Sequence, residues 1–412
     1  MFKKSLIAVA ALGAFAGSAM AADITISGRI DTGLNFHDQE VKENGVKTVD
    51  TNTFQMKAGQ YSGSRVTIKG SEDLGNGMKA GFILENGFNG DDGTWGQSRL
   101  FGREAIVYLE GDFGHFSMGR VGALTSGVGS YSIVYGFTPF GTGWGDYAGA
   151  KGEFMIGDRD RFNNTLTYRS PEFAGVQVFA QYSLEAAGQE DDQSGNNKRY
   201  AALGATYNIG AFSTALVVDT IMNGNDDTSR NTEDSLGISW GASYDLGVTK
   251  PMILVQYGKN ENTLGGRNLE DTFEYLGSDK KYAERVGDNE GLKGYAISLG
   301  AVTPLFGGNL YTAVNYTDGE FDGSAWGEYT GDVTAAKPTW GETGYASADI
   351  ERWGVAVGYD YPLSKRTKIY GFAAYNEGEM KARNFSTDGT PGSHNKTEQT
   401  DIEAGVGLIH YF

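Results

Sequence analysis

From Asp23 onward, apolar and polar residues alternate one by one in segments of about ten residues, the period of a β-strand with one apolar and one polar face. Sixteen such segments are predicted, at 23–36, 61–70, 78–88, 99–110, 114–121, 159–169, 176–186, 199–207, 211–222, 235–245, 251–260, 292–303, 309–319, 347–360, 367–377 and 400–412. The last is typical: Ile402, Ala404, Val406, Leu408 and the terminal Phe412 share one face. Connections alternate between short Gly-rich turns (71–77, 111–113, 170–175, 208–210, 246–250, 304–308, 361–366) and long polar loops, as when one end of a barrel carries turns and the other loops. All seven prolines fall in connections or at a strand's first residue, where a missing amide donor costs no ladder bond.

Such strands suit a tilted crossing of a hydrocarbon layer, with the apolar face toward lipid. Residues 1–21 have Lys3 and Lys4, an apolar stretch from Leu6 to Phe15 and the small-residue site Ala19-Met20-Ala21, the features of a secretory signal peptide cut before Ala22. No other segment offers the roughly 18 consecutive apolar residues of a spanning helix, so a membrane-embedded mature chain, residues 22–412, crosses as strands. The predicted fold is all-β, a transmembrane antiparallel β-barrel of sixteen strands. A soluble β-sandwich, the alternative, would have shorter strands and no reason for a terminal aromatic.

Composition adds 62 glycines, 23 tyrosines and 22 phenylalanines, the tight turns and aromatic girdles of such a barrel. The absence of cysteine excludes thiol and disulfide chemistry. The formal charge of -18 becomes -20 once Lys3 and Lys4 leave, which argues against nucleic acid as a partner.

Strand parity sorts the charges. Ile24, Ile26, Gly28, Ile30 and Leu34 face lipid, leaving Thr25, Ser27, Arg29 and Asp31 inside. Val66 and Ile68 place Arg65, Thr67 and Lys69 inside, and Phe162, Leu166 and Tyr168 alternate against Arg161, Asn163, Thr165 and Thr167. Inward arginine is expected on stability alone, because a charge on the lipid face costs about 2–4 kcal/mol at the midplane. Arg103 stands on a strand beside the long segment 122–158, which holds Tyr131, Tyr135, Phe137, Phe140, Trp144 and Tyr147 among glycines, with Asp146, Glu153 and Asp158. A loop so long and aromatic is expected to pack into the lumen, setting its carboxylates opposite the arginine-bearing wall.

These residues resemble the general diffusion porins of Gram-negative bacteria, particularly the β-proteobacterial type. The resemblance rests on Ser64-Arg65-Val66-Thr67-Ile68-Lys69-Gly70-Ser71-Glu72-Asp73-Leu74-Gly75-Asn76-Gly77-Met78-Lys79-Ala80, on Gly102-Arg103-Glu104-Ala105-Ile106-Val107-Tyr108-Leu109, on Gly111-Asp112-Phe113-Gly114, Met118-Gly119-Arg120 and Tyr168-Arg169-Ser170-Pro171-Glu172-Phe173-Ala174-Gly175, and on the terminal Leu408 to Phe412. It is dense from Asp23 to Ser183 and returns at the C-terminus. It implies a homotrimer of sixteen-stranded barrels in the outer membrane, with the third extracellular loop folded inward as a constriction. It further implies contact with outer-membrane lipid and lipopolysaccharide, and recognition of Phe412 by the barrel assembly machinery. By resemblance, Arg29, Arg65, Arg103 and Arg161 are the basic side of that constriction. Parity sets Glu104 outward with Ile106 and Tyr108; either Glu104 lies at the trimer interface or the strand is one residue out of register. Enteric members carry Pro-Glu-Phe-Gly-Gly in the inserted loop, whereas Thr138-Pro139-Phe140-Gly141-Thr142-Gly143-Trp144-Gly145-Asp146 lacks that glutamate, and Asp146, with Glu153 and Asp158, substitutes for it.

The function this implies is a water-filled channel for passive diffusion of small hydrophilic solutes and ions, without a cofactor, filtered between arginines and carboxylates. Alternatives are a substrate-selective channel for sugars or organic anions, and a surface adhesin or receptor. An enzyme would need a nucleophile and base within reach, and His37, His115, His394 and His410 belong to no such constellation in the sequence. The acid clusters at Glu190-Asp191-Asp192, Asp226-Asp227 and 261–290 read as solvated loops, with divalent cations bridging to lipopolysaccharide phosphates as the minor alternative.

Overall fold

The structure, a computed structural model, describes residues 23–412 apart from 158, 187, 189, 191–193, 225–232, 262, 265–266, 269–283, 286–290, 330–339 and 386–390. The strands are β1 (Asp23–Glu43), β2 (Val46–Ala58), β3 (Arg65–Gly75), β4 (Met78–Gly87), β5 (Glu104–Gly111), β6 (Gly114–Gly122), β7 (Arg161–Arg169), β8 (Val176–Ser183), β9 (Arg199–Ile209), β10 (Phe212–Met222), β11 (Leu236–Tyr244), β12 (Lys250–Glu261), the two-residue β13 (Thr263–Leu264), β14 (Arg267–Asn268) and β15 (Glu284–Arg285), then β16 (Leu292–Leu305), β17 (Gly308–Tyr329), β18 (Trp340–Pro362), β19 (Thr367–Phe385) and β20 (Pro391–Tyr411).

Sixteen of these form a closed antiparallel barrel, in which each strand from β3 onward pairs with the next wall strand. Closure comes from β1, which pairs with β20 on one side and with β3 on the other. At the seam the Phe412 amide donates to the Gly28 carbonyl at 3.1 Å and the Gly28 amide to Phe412 at 2.9 Å. A Cβ on Gly28 would lie 2.5 Å from the Phe412 ring, so the glycine makes the seat for the terminal aromatic.

Alternation along the wall is carried through as burial. Leu203, Val107, Val314 and Val406 are each more than half exposed, forming an outer apolar band, while their polar-parity neighbours Ser117, Thr167, Ser183, Asn315 and Asn376 are buried. Among the described residues no helix is long and apolar enough to cross a membrane. All sixteen predicted strands have counterparts in the wall, and two differences have local causes. The chain after 36, expected as loop, continues β1 to Glu43 and returns as β2 through Asn44-Gly45, both with positive φ (49° and 81°), the geometry of a two-residue hairpin turn. The strand expected at 99–110 begins only at Glu104, because residues 88–103 form a link of bends and turns.

The segment between β6 and β7, residues 123–160, contains a 3-10 turn at Tyr135–Phe137 and one α-helical turn at Ala150–Glu153. Its side chains make up much of the buried apolar matter. Leu124, Tyr131, Val134, Phe137, Phe154 and Met155 cluster with Tyr200, Ala202, Val217 and Leu254 of β9, β10 and β12. Phe140, Trp144 and Tyr147 cluster with Ala313, Ala356, Tyr370, Phe372 and Ile409 of β17 to β20.

Candidate functional site

Arg29 and Arg65 face each other directly across β1 and β3, and a single hydroxyl joins them: Ser62 Oγ accepts from Arg29 Nη1 at 2.9 Å and from Arg65 Nη2 at 3.2 Å. Ser62 is held in the β2–β3 link by its own amide, which donates to Asp31 Oδ2 at 2.7 Å. Asp31 in turn is fully buried and accepts from the Tyr370 hydroxyl at 2.6 Å. The Arg29 guanidinium also lies 5.3 Å from the centre of the Tyr411 ring.

Arg103, only 6% exposed, donates from Nε to Glu85 Oε1 at 2.8 Å, and Arg65 Nη1 reaches the same oxygen at 3.4 Å. Thr67 Oγ1 occupies the other carboxylate oxygen at 2.7 Å. Glu85, which the arginine parity left unassigned, is therefore the acid inside the basic cluster. Its position was legible by the same period of two, since Ala80, Phe82 and Leu84 alternate against Ile83 and Glu85.

Glu104 is paired with Glu85 across β4 and β5, putting it on the interior face with Ile106 and Tyr108, while Val107 and Leu109 are exposed. The one-residue register shift is thus the correct alternative for β5. Glu104 is buried against the long segment, one of its carboxyl oxygens lying 3.7 Å from where a Cβ on Gly129 would stand.

Arg161 also departs from the expected parity. Phe162 stacks on the buried Tyr200 at 4.2 Å and so turns inward, because the β6–β7 ladder slips between Gly119 and Val121 opposite Asn164, whose φ is 48°. Arg161 leaves from the other side, yet its head returns to the cluster: Nε donates to the Arg103 carbonyl at 3.1 Å and Nη1 to both oxygens of Asp160 at 2.9 Å. Partial loss of water would raise the Asp160 carboxyl; Lys151 and Arg161 reverse this and hold it below the ordinary value. The four arginines named from sequence thus come together in one chain of contacts.

Of the loop acids named from sequence, Asp146 and Glu153 pair with other cations, whereas Asp160 at the end of the same segment is the carboxylate that meets Arg161. Asp146 pairs with Lys57 of β2 at 2.5 Å, and Glu153, 1% exposed, with Arg352 of β18 at 2.7 Å. Asp158 lies outside the described residues. Sequence reasoning missed the groups that fasten the segment. Glu403 of β20 accepts from the amides of Asp146 and Tyr147, at 3.0 and 2.9 Å from Oε2, and from Asn35 at 2.7 Å. Gly145, with a φ of 72°, lets that carboxylate approach where a Cβ would stand 2.4 Å from it. Arg159 donates to Asp219 at 3.1 Å and to both Glu261 oxygens at 2.6 and 2.7 Å, all three side chains being at most 4% exposed. Tyr131 is hydrogen-bonded to His115 and Ser117, each at 2.7 Å.

A closed sixteen-stranded barrel with this inward polar chemistry is the architecture of a channel, and the comparisons decide the family. The description "Gram-negative porin" matches residues 8–381. This chain belongs to the Gram-negative porin family. An outer membrane porin of Bordetella pertussis is 28% identical over the full length of both chains. The outer membrane porin protein 32 of Delftia acidovorans is 31% identical over 52% of this chain and 58% of its own, and a major outer membrane protein P.IB of Neisseria meningitidis 32% identical over 51% and 57%. Among solved structures, an anion-selective porin from Comamonas acidovorans superposes with a TM-score of 0.61 at 23% identity, covering 95% of this chain and all of its own. A trimer form of OmpT from Vibrio cholerae superposes with a TM-score of 0.51 at 13% identity, covering 95% and 100%. This porin is a multi-pass barrel of the Gram-negative outer membrane, and it serves as a channel and not as an enzyme.

Proposed function

We propose that this porin is a general diffusion channel whose narrowest part lies between the long 123–160 segment and the arginines of β1, β3 and the β5 approach, and that it favours anions there. The observation that carries the proposal is the imbalance of partners. Arg29, Arg65 and Arg103 share one hydroxyl, one backbone carbonyl and the single carboxylate Glu85, whereas Asp146 and Glu153 are each matched by Lys57 and Arg352. Permeant anions would meet net positive charge where screening is weakest.

The burial of the segment's aromatic residues against wall strands as far apart as β9 and β20 supports an inward course for it. The test is the zero-current potential of single channels under a potassium chloride gradient. An anion-directed potential that moves toward cations in Arg65→Ala supports the proposal; a cation-directed or zero potential in the unaltered protein refutes it.

Assembly is part of the same proposal. The working unit is a homotrimer in contact with outer-membrane lipid and lipopolysaccharide, residues 1–21 are removed on export, and Phe412 is read by the barrel assembly machinery. The acidic loops are solvated faces, with divalent cations bridging them to lipopolysaccharide phosphates as the second reading and no other cofactor. Loss of trimers on a cation chelator would support that bridge, and chelator-insensitive trimers with full lipid retention would remove it.

A further inference from the structure

Beside the four arginines lie two more, Arg99 in the β4–β5 link and Arg120 on β6. Both donate from Nη1 to one neutral acceptor, Asn163 Oδ1, at 3.0 and 2.7 Å. Arg120 Nε donates to the Gly102 carbonyl at 2.9 Å, one residue from the carbonyl that Arg161 engages. Among the described residues neither guanidinium is bonded to a carboxylate. Asp160 and Arg161 lie within electrostatic reach of Arg120, but both Asp160 oxygens are committed to Arg161.

The arrangement is built by the backbone. The ladder slip after Gly119 sets Arg120 opposite both Asn163 and Asn164, and Gly119, with a φ of 138°, sits where a Cβ would stand 2.1 Å from the Ala105 carbonyl. A guanidinium presents five donors in a fixed fork, and here two forks meet over a single amide oxygen with most donors unengaged. Like charges so placed repel unless an anion lies between them, and a planar fork suits an anion with several oxygens better than a halide.

We propose that Arg99 and Arg120 form a binding site for a phosphate-class oxyanion, next to the arginine chain and feeding it. The site deepens the anion-channel proposal and rests on it for its role, not for its chemistry. The oxyanion is either free in solution or the headgroup phosphate of a membrane lipid.

The experiment uses the full-length protein in phosphatidylcholine bilayers, titrating inorganic phosphate into potassium chloride at constant ionic strength. A free-anion site makes phosphate suppress the chloride current, with the half-effect concentration rising on the order of tenfold in R99Q/R120Q, the loss of about one charge-assisted hydrogen bond. A headgroup site leaves the current unaffected by free phosphate but retains a bisphosphorylated lipid through detergent washing, measured as bound phosphorus, and loses it in the same variant.

Neither response in the unaltered protein overturns the site. R99K/R120K keeps the charge and loses the forks, and is available should the glutamine variant not fold. It should be impaired in whichever assay responds, and unaltered behaviour in it also overturns the site. The chloride-over-potassium potential, read without phosphate in the same bilayers, separates the two proposals: a channel without anion preference that still loses phosphate sensitivity in R99Q/R120Q refutes the first and leaves the second.

Discussion

On the β17–β20 side of the barrel and at the β10–β12 wall, every named cation has its own carboxylate: Arg352 with Glu153, Lys368 with Asp360, Arg159 with Asp219 and Glu261. On the β1–β7 side the arginines outnumber their acids and are held by hydroxyls, amide oxygens and backbone carbonyls. The same residue type therefore does two jobs. Where pairs are closed and buried they fasten the 123–160 segment to the wall. Where neutral groups hold the guanidiniums, their charge remains available to a passing ion.

The most disruptive way to break this contrast is to open the closed side. Arg159→Met removes the partner of two carboxylates that are themselves at most 4% exposed. Leaving buried charges uncompensated costs about 3–5 kcal/mol, enough to loosen the end of the segment. The expected outcome is a lower temperature for loss of the folded, heat-modifiable form on gels, with larger and noisier single-channel currents. Unchanged current at unchanged stability would mean that the triad fastens nothing. The triple variant Arg159→Met, Asp219→Asn, Glu261→Gln should recover part of the loss, because removing all charges together leaves no unpaired one.

Next in size is the open side. Arg65→Ala removes the guanidinium that touches both Ser62 and Glu85, so it subtracts one positive charge and also releases Glu85 from one of its two cations. The zero-current potential should move toward potassium by more than in Arg29→Ala, which takes away a charge without freeing an acid. Equal shifts in the two variants would show that Glu85 is not part of the filter.

Much of this was readable from period alone. Sixteen strands, the parity of Arg29 and Arg65 and the alternation of turns and loops follow from residues two apart. So did two features that went unread: Glu85 on the inner parity of β4, and Asn44-Gly45 as a hairpin turn between alternating flanks. Other features depend on single residues that break the period. The slip at Gly119 exchanges Phe162 for Arg161 on the inner face, and β5 begins where Glu104 pairs with Glu85 and not where its alternation first appears. The fastening of the segment was the least legible, since Glu403 meets Asp146 and Tyr147 from more than two hundred and fifty positions away in sequence. No local pattern carries such a contact.

The barrel seam gives a smaller effect that leaves both sides of the comparison untouched. Gly28 faces outward beneath the Phe412 ring, and both of their backbone groups pair. Deleting Phe412 removes those two hydrogen bonds and an exposed aromatic from the end of the wall, but no interior group. Yield of assembled barrel in the outer membrane should fall, while channels that do form keep their conductance and ion preference.

Smallest of all is Glu85→Gln, which sharpens the contrast by making the open side more open. The amide oxygen can still accept from Arg103 Nε, and the NH2 group that replaces the other oxygen can donate to Thr67 Oγ1, so the geometry at 2.8 and 2.7 Å has no reason to change. What changes is one negative charge among guanidiniums that already outnumber it. Anion preference should rise, opposite in sign to Arg65→Ala, and by less, because Glu85 is shared between two cations and screened by both. A shift toward cations would place Glu85 as the residue that orients the arginines, with its charge secondary. In that case Thr67→Val, which removes only the third partner of Glu85, should reproduce the shift.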